Sequence, residues 1–147
     1  MVAIDFETYY DTECTVKGLG PDAYCRHPKF DPYMVSLHGD GIDYVGPTQD
    51  APWCSLPADA PFVAHNAAFD STVFEAAQRM GYIPGDLTPV WDCSANLGVY
   101  IQCPRSLKGF AEQMLGVKPD KAVRDKMKGK LPSDLDEAEL KSLIEYA

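Results

Sequence analysis

The sequence has no apolar run approaching the ~20 residues that span a bilayer as a helix, so no membrane partner is expected. It has no basic, then apolar, opening of the kind that marks a secretory signal, because a strand pattern begins at once. It has no CxxC pair. Its five cysteines (Cys14, Cys25, Cys54, Cys93, Cys103) are scattered and odd in number, which argues against a zinc ribbon or a disulfide framework. They read as reduced thiols of a cytoplasmic protein. Basic residues are scarce, 13 Lys and Arg against 22 Asp and Glu, and the formal net charge of -9 should repel nucleic acid taken as a whole. There is no internal repeat and no low-complexity tract. What is present is 147 residues at 46% hydrophobic content, one domain with chain enough for a real core.

Met1–Ile4 is a short apolar run that reads as a buried strand, with Asp5 and Glu7 closing it. Residues 9–32, rich in Gly, Pro, Asp and aromatics, read as an irregular excursion with a helical turn near Asp22–Arg26. Residues 33–38 and Ile42–Val45 flank Gly39-Asp40-Gly41 and read as a β-hairpin. Residues 46–60 read as loop, and residues 61–65 as a fourth strand. A helix from Ala67 to Met80 follows, apolar at Phe69, Val73, Phe74, Ala77 and Met80 and stopped by Gly81. Thr88–Asp92 is the fifth strand and Cys93–Ile101 a helix. Ser106 caps another helix, which runs to Leu115 and Gly116. Ser133–Ala147 is a final helix with an apolar stripe of Leu140, Leu143, Ile144 and Ala147. A hairpin group followed by alternating strands and helices predicts an α/β fold: a mixed five-stranded sheet of order 3-2-1-4-5 with helices on both faces.

Strand side chains alternate, so Asp5 and Glu7 share one face while Ile4 and Phe6 share the other. Two carboxylates on one face of a core strand repel each other and are costly to bury. A hard divalent cation with oxygen ligands removes that cost. The plain alternative is a strand end running into a solvated acidic turn. Asn66-Ala67-Ala68-Phe69-Asp70 places a second acid about one helical turn beyond a polar residue. Taken alone, Asn66 is a helix cap and Asp70 a favourable charge at the helix N-terminus. In this topology, sites form where the carboxyl ends of adjacent central strands meet, so the two acidic stretches can converge. Lys118–Lys130 holds six basic and two acidic residues. It is either a solvated face or a local patch for phosphates.

Asp5-Phe6-Glu7-Thr8 resembles the first motif of the DEDD 3′–5′ exonucleases, and Asn66–Asp70 resembles the second. Glu145-Tyr146-Ala147 resembles the opening of the third motif, Tyr-x-x-x-Asp, of the tyrosine subclass. The likeness is greatest to the proofreading domain of bacteriophage-type family A DNA polymerases. It also covers Ala23-Tyr24, His27-Pro28, Phe30, Phe62–Asn66, Ser106–Lys108, Ala111-Glu112 and Leu115-Gly116, and so nearly the whole chain. Three such motifs in order are a stronger signal than any one of them.

The resemblance implies a ribonuclease H-like fold and two divalent cations, Mg²⁺ or Mn²⁺. It implies a single-stranded DNA 3′ end as substrate and a polymerase domain, in the same or a longer chain, as partner. It places the activity in the cytoplasm of a bacterial cell, with the gene carried by the cell or by a virus. Asp5 would bridge both metals, and Glu7 would ligate one and hold the attacking water. Asp70 would support the second metal, and Tyr146 would orient the water. The product would be a nucleoside 5′-monophosphate. Thr8, Asn66 and Phe69 are the substrate-binding candidates, with core packing the alternative for Phe69. Tyr9, Tyr10 and Phe30 are candidates for base stacking, against ordinary packing. His65 reads as a strand-end residue and Asp92 as a helix cap. The family pattern places an Asp four residues after the Tyr, whereas the sequence given closes at Ala147. The expectation is therefore a domain cut just before its last acidic ligand and weakly active at best. An RNA-trimming exonuclease of the same fold, or a catalytically incomplete nucleic-acid-binding or scaffold module, are the competing readings.

Overall fold

The computed structural model describes residues 1–118 and 122–147, and of Ala122 the backbone alone. In chain order the elements are β1 (Val2–Glu7), α1 (Val16–Leu19), α2 (Pro21–Tyr24), β2 (Met34–Gly39), β3 (Ile42–Gly46), β4 (Pro61–Ala64), α3 (Ala67–Arg79), β5 (Val90–Cys93), α4 (Ser94–Tyr100), α5 (Leu107–Leu115), α6 (Ala122–Lys126) and α7 (Glu137–Tyr146). The strands form one five-stranded sheet in the order β3-β2-β1-β4-β5, as the sequence pattern predicts. Single turns of 3-10 helix at Thr48–Asp50 and Trp53–Ser55 tighten the connection between β3 and β4.

β1 is central because it is the most regular alternation in the chain. Val2, Ile4 and Phe6 are buried, and the strand continues through Asp5 to Glu7. It pairs antiparallel with β2, from Ala3↔His38 to Glu7↔Met34. It pairs parallel with β4 at Val2↔Phe62 and Ala3↔Val63. That parallel ladder stops four pairs short of the β2 ladder's end. The carboxyl end of β1 therefore projects past its β4 neighbour, and α3 starts at this step. Asp40 (φ 48°) and Gly41 (φ 81°) join β2 to β3 with two positive-φ residues, the pattern of a type I′ hairpin loop.

The two faces of the sheet carry separate cores. On one face Val2, Ile4, Phe6, Val35, Leu37 and Phe62 meet Val73, Phe74 and Ala77 of α3. Phe62 and Phe74 also meet Trp91 edge-on, with ring centroids 5.4 to 5.9 Å apart, a favourable aromatic geometry. Cross-strand partners share a face, so Met34 lies on the same side as Glu7. There Met34 and Tyr33 pack with Met127 and Leu143, and this second cluster seats the α6–α7 region beside the end of β1.

Several boundaries move from the sequence reading. The final helix starts at Glu137, not Ser133, because Asp136 accepts from the Glu139 N–H at 2.8 Å while Glu139 reaches back to Asp136, a reciprocal cap. Ser133 falls in a single 3-10 turn, Pro132–Asp134. Ile144 and Met80, assigned to apolar stripes, are each 41% exposed. Both sit at the rim of their helix faces. α1 is an additional turn, capped by Thr15, whose Oγ1 accepts from the Gly18 N–H at 2.9 Å. Within the basic stretch, Asp120 and Lys121 lie outside the described residues, and α6 is the element formed there.

Leu143 is 0% exposed and anchors α7. Leu143→Ala is expected to cost about 2–4 kcal/mol, the range for removing a buried leucine side chain. Urea unfolding checks this, and a loss under about 1 kcal/mol would show the cluster collapses around the gap.

Candidate functional site

Asp5 and Glu7 emerge on one face at the projecting end of β1. Asp70 comes from the first turn of α3, which starts at the adjoining end of β4. Between them Asn66 adopts a left-handed conformation, φ 94° and ψ 50°, and makes no side-chain capping bond. The sequence suggested a conventional cap. The chain instead uses Asn66, one of the few side chains that tolerate this region, to turn sharply from strand to helix. Its carbonyl accepts from the Phe69 N–H at 2.8 Å.

Asp70 is 2% exposed, and its Oδ1 accepts no hydrogen bond among the described residues. Desolvation first, and then the charge of Asp5, push its pKa up to about 8 against the opposing Phe6 N–H. Glu7 is pushed up to about 7, first by burial and then by Asp5. Asp5 is pushed up to about 6, mainly by burial. Asp5 nevertheless keeps open surface. Its charge raises the pKa of both other acids, so Asp5 is their shared neighbour.

Tyr146, in the last turn of α7, joins this group. Its hydroxyl pKa is raised by burial first, then by the charges of Glu7 and Asp5, so it keeps its proton at neutral pH. The charge of Arg124, on α6, pulls the pKa of Asp5, Glu7 and Tyr146 downward, so it lies within electrostatic reach of all three. The basic stretch was legible in the sequence only as a diffuse patch. What singles out Arg124 is its place on α6.

The substrate-binding candidates fare differently. Thr8 lies directly after Glu7, and its Oγ1 is 2.7 Å from the Tyr24 hydroxyl. That hydroxyl is also 2.5 Å from the Tyr9 carbonyl oxygen, so Tyr24 ties down the loop leaving β1. Phe69 is partly buried on the main core, its ring centroid 6.2 Å from Tyr24. Asn66 is exposed. The stacking candidates are otherwise engaged. Phe30 is buried edge-on to Tyr24 at 5.2 Å, and the Tyr9 hydroxyl donates to Asp11 at 3.0 Å. The Tyr10 hydroxyl donates to the Arg124 carbonyl at 2.7 Å.

His65 is a brace. Its ring nitrogens lie 3.0 Å from Ser94 Oγ and 2.9 Å from the Arg105 carbonyl, joining the end of β4 to α4 and to the loop before α5. Asp92 does not cap α4, because the residue preceding that helix is Cys93 and Asp92 is exposed. All five cysteines are free thiols. Burial works to raise the Cys93 pKa, but the N–H groups of Asn96, Ala67, Asn66 and Ala95 overcome it and lower the value. Composition carries no trace of that environment.

Among the described residues, no set of three or more His, Cys, Asp or Glu side chains is gathered into a ligating cluster. The donor chemistry nonetheless fits a hard cation. Asp5 lies close enough to disfavour charge on Glu7 and on Asp70, and a buried Asp70 oxygen lacks a donor among the described residues. No family model, curated protein or solved structure matches the chain.

Proposed function

We propose that this chain is a ribonuclease H-like 3′–5′ exonuclease domain that removes nucleotides from single-stranded DNA 3′ ends in the service of a DNA polymerase. The observation that carries the reading is the shared location of Asp5, Glu7, Asp70 and Tyr146 at the projecting carboxyl end of the central strand. The likeness of the three acidic and tyrosine stretches to the exonuclease motifs supports the same conclusion.

Asp5, Glu7 and Asp70 would hold two divalent cations, Mg²⁺ or Mn²⁺. Such a pair, when bound, supplies a more acidic water and neutralises charge developing on a phosphodiester. The chain's own contributions follow from its electrostatics. Asp5, set between the other two acids, makes full ionisation of all three unfavourable without a counter-charge. Glu7, with a pKa of about 7, is poised to accept a hydrogen bond from a water at neutral pH. The protonated Tyr146 hydroxyl supplies a donor that orients that water. Asn66 and Thr8 line the approach on the α3 and loop sides, and Phe69 offers an apolar edge to the terminal base. The product is a nucleoside 5′-monophosphate.

The test is mononucleotide release from a 3′-labelled single strand with Mg²⁺ or Mn²⁺, using DNA and RNA of one sequence. It is run on the chain and on a form continuing past residue 147. Metal-dependent release of 5′-monophosphates, faster from DNA, is the expected result. RNA preference would reassign the substrate, and no release from either form would overturn the reading.

A further inference from the structure

The loop that leaves the acidic strand is hydrogen-bonded to the basic stretch through Tyr10. Tyr10, three positions past Glu7, uses its hydroxyl and its carbonyl on the α6 region. Its hydroxyl donates to the Arg124 carbonyl at 2.7 Å, and its own carbonyl accepts from the Gly129 N–H at 2.8 Å. Met127, one turn beyond Arg124, is buried against Met34, the direct cross-strand partner of Glu7. Three contacts therefore fix α6 over the end of β1. The Arg124 side chain is left exposed to solvent beside the carboxyls.

We propose that Arg124 grips a backbone phosphate of a single-stranded polynucleotide at this site and that Tyr10 is its positioning residue. The inference rests on the function proposed above and names a gripping group for that substrate. The argument is one of charge and geometry. A chain of net charge -9 must offset the repulsion of a polyanion locally. A guanidinium presents a planar fork that matches two phosphate oxygens at once, which an ammonium cannot do. Two other cations of the stretch are held in ion pairs. Lys118 pairs with Glu112 at 3.3 Å, and Lys130 pairs with Glu139 at 3.6 Å. The charge of Arg124 instead reaches Asp5 and Glu7 of β1, Tyr10 of the loop after it, Tyr24 of α2 and Tyr146 of α7, and Asp125 is its chain neighbour. Its position next to the acids is where the phosphate nearest the cleaved bond would lie.

The experiment measures binding, not turnover. A short 5′-fluorescein-labelled oligothymidylate is titrated by anisotropy across a salt series, with and without Mg²⁺. The proteins are the parent, Arg124→Gln, Arg124→Lys, Tyr10→Phe, and Lys17→Gln. The last removes the same charge from the exposed α1. Arg124→Gln is expected to weaken binding roughly tenfold at low salt and to flatten the salt slope by about one unit. Arg124→Lys should restore the slope but only part of the affinity. Tyr10→Phe should keep the slope and lose affinity, because the charge remains but is no longer aimed. Lys17→Gln should change either quantity far less. Equal effects of Arg124→Gln and Lys17→Gln would mean bulk charge alone is at work and would overturn the proposal. A parent that binds no oligothymidylate in any salt would overturn the proposed function, and this inference with it. A parent that binds normally while Arg124→Gln matches it would sink only the inference.

Discussion

At pH 8 in the presence of a chelator, Asp70→Asn unfolds at a temperature roughly 5–10 °C above the parent. Asp70 is 2% exposed, its Oδ1 has no donor among the described residues, and its pKa stands at about 8 in the folded state against an ordinary 3.8. Between those values the folded chain holds a proton that the unfolded chain has released. The favourable contribution of the neutral acid is therefore complete below about pH 3.8 and is lost as pH rises through about 8. Asparagine matches the shape of the neutral acid and never ionises, so it escapes that loss. Allowing for relaxation and water entry, the gain is on the order of 2–3 kcal/mol. Near pH 4 the two proteins should melt together. Thermal unfolding by circular dichroism at both pH values is the check. Coincident curves at pH 8 would show that the Asp70 carboxylate ionises at no cost, and the argument for an unmet charge at this site would fall.

Replacing Asp5 by alanine should have the largest effect on activity, a loss of mononucleotide release of about a hundredfold or more. Asp5 is the common neighbour in the cluster, and its charge raises the pKa of both Glu7 and Asp70. Asp5→Ala therefore removes a donor and also relieves repulsion, so the folded state should be at least as stable at neutral pH as the parent's. The combination separates a site residue from a structural one, since a structural residue would lose activity along with stability. Product release by chromatography and unfolding by urea on the same samples provide the two readings. A variant as active as its parent would remove Asp5 from any role in the reaction.

How much of this was legible in the residues differs by element. The strand order was readable because each local signal agreed with the next. Asp40-Gly41 can supply two positive φ values, the alternation of Val2, Ile4 and Phe6 picks the buried face, and Gly81 stops α3. The shared face of Asp5 and Glu7 follows from the strand period alone. The start of α7 was not readable, because Ser133 and Asp136 are both good capping residues. Only the reciprocal bonds of Asp136 and Glu139 decide between them. The four-residue α1 carries too few side chains to show a helical period. Asn66 looked like a cap because its residue type suits caps, yet the sharp turn into α3 demanded a left-handed residue. Arg124 could not be singled out from the basic stretch, since its placement depends on a bond to Tyr10, 114 positions away.

Tyr10 ties the carbonyl of Arg124 and the amide of Gly129 to the strand that bears the acids. The Gly129 amide thereby becomes a natural gauge of how often the arginine-bearing arm lifts away from the sheet. Its deuterium uptake will be slow only while that mooring holds, and a polyanion clasped beneath the arm will slow it further.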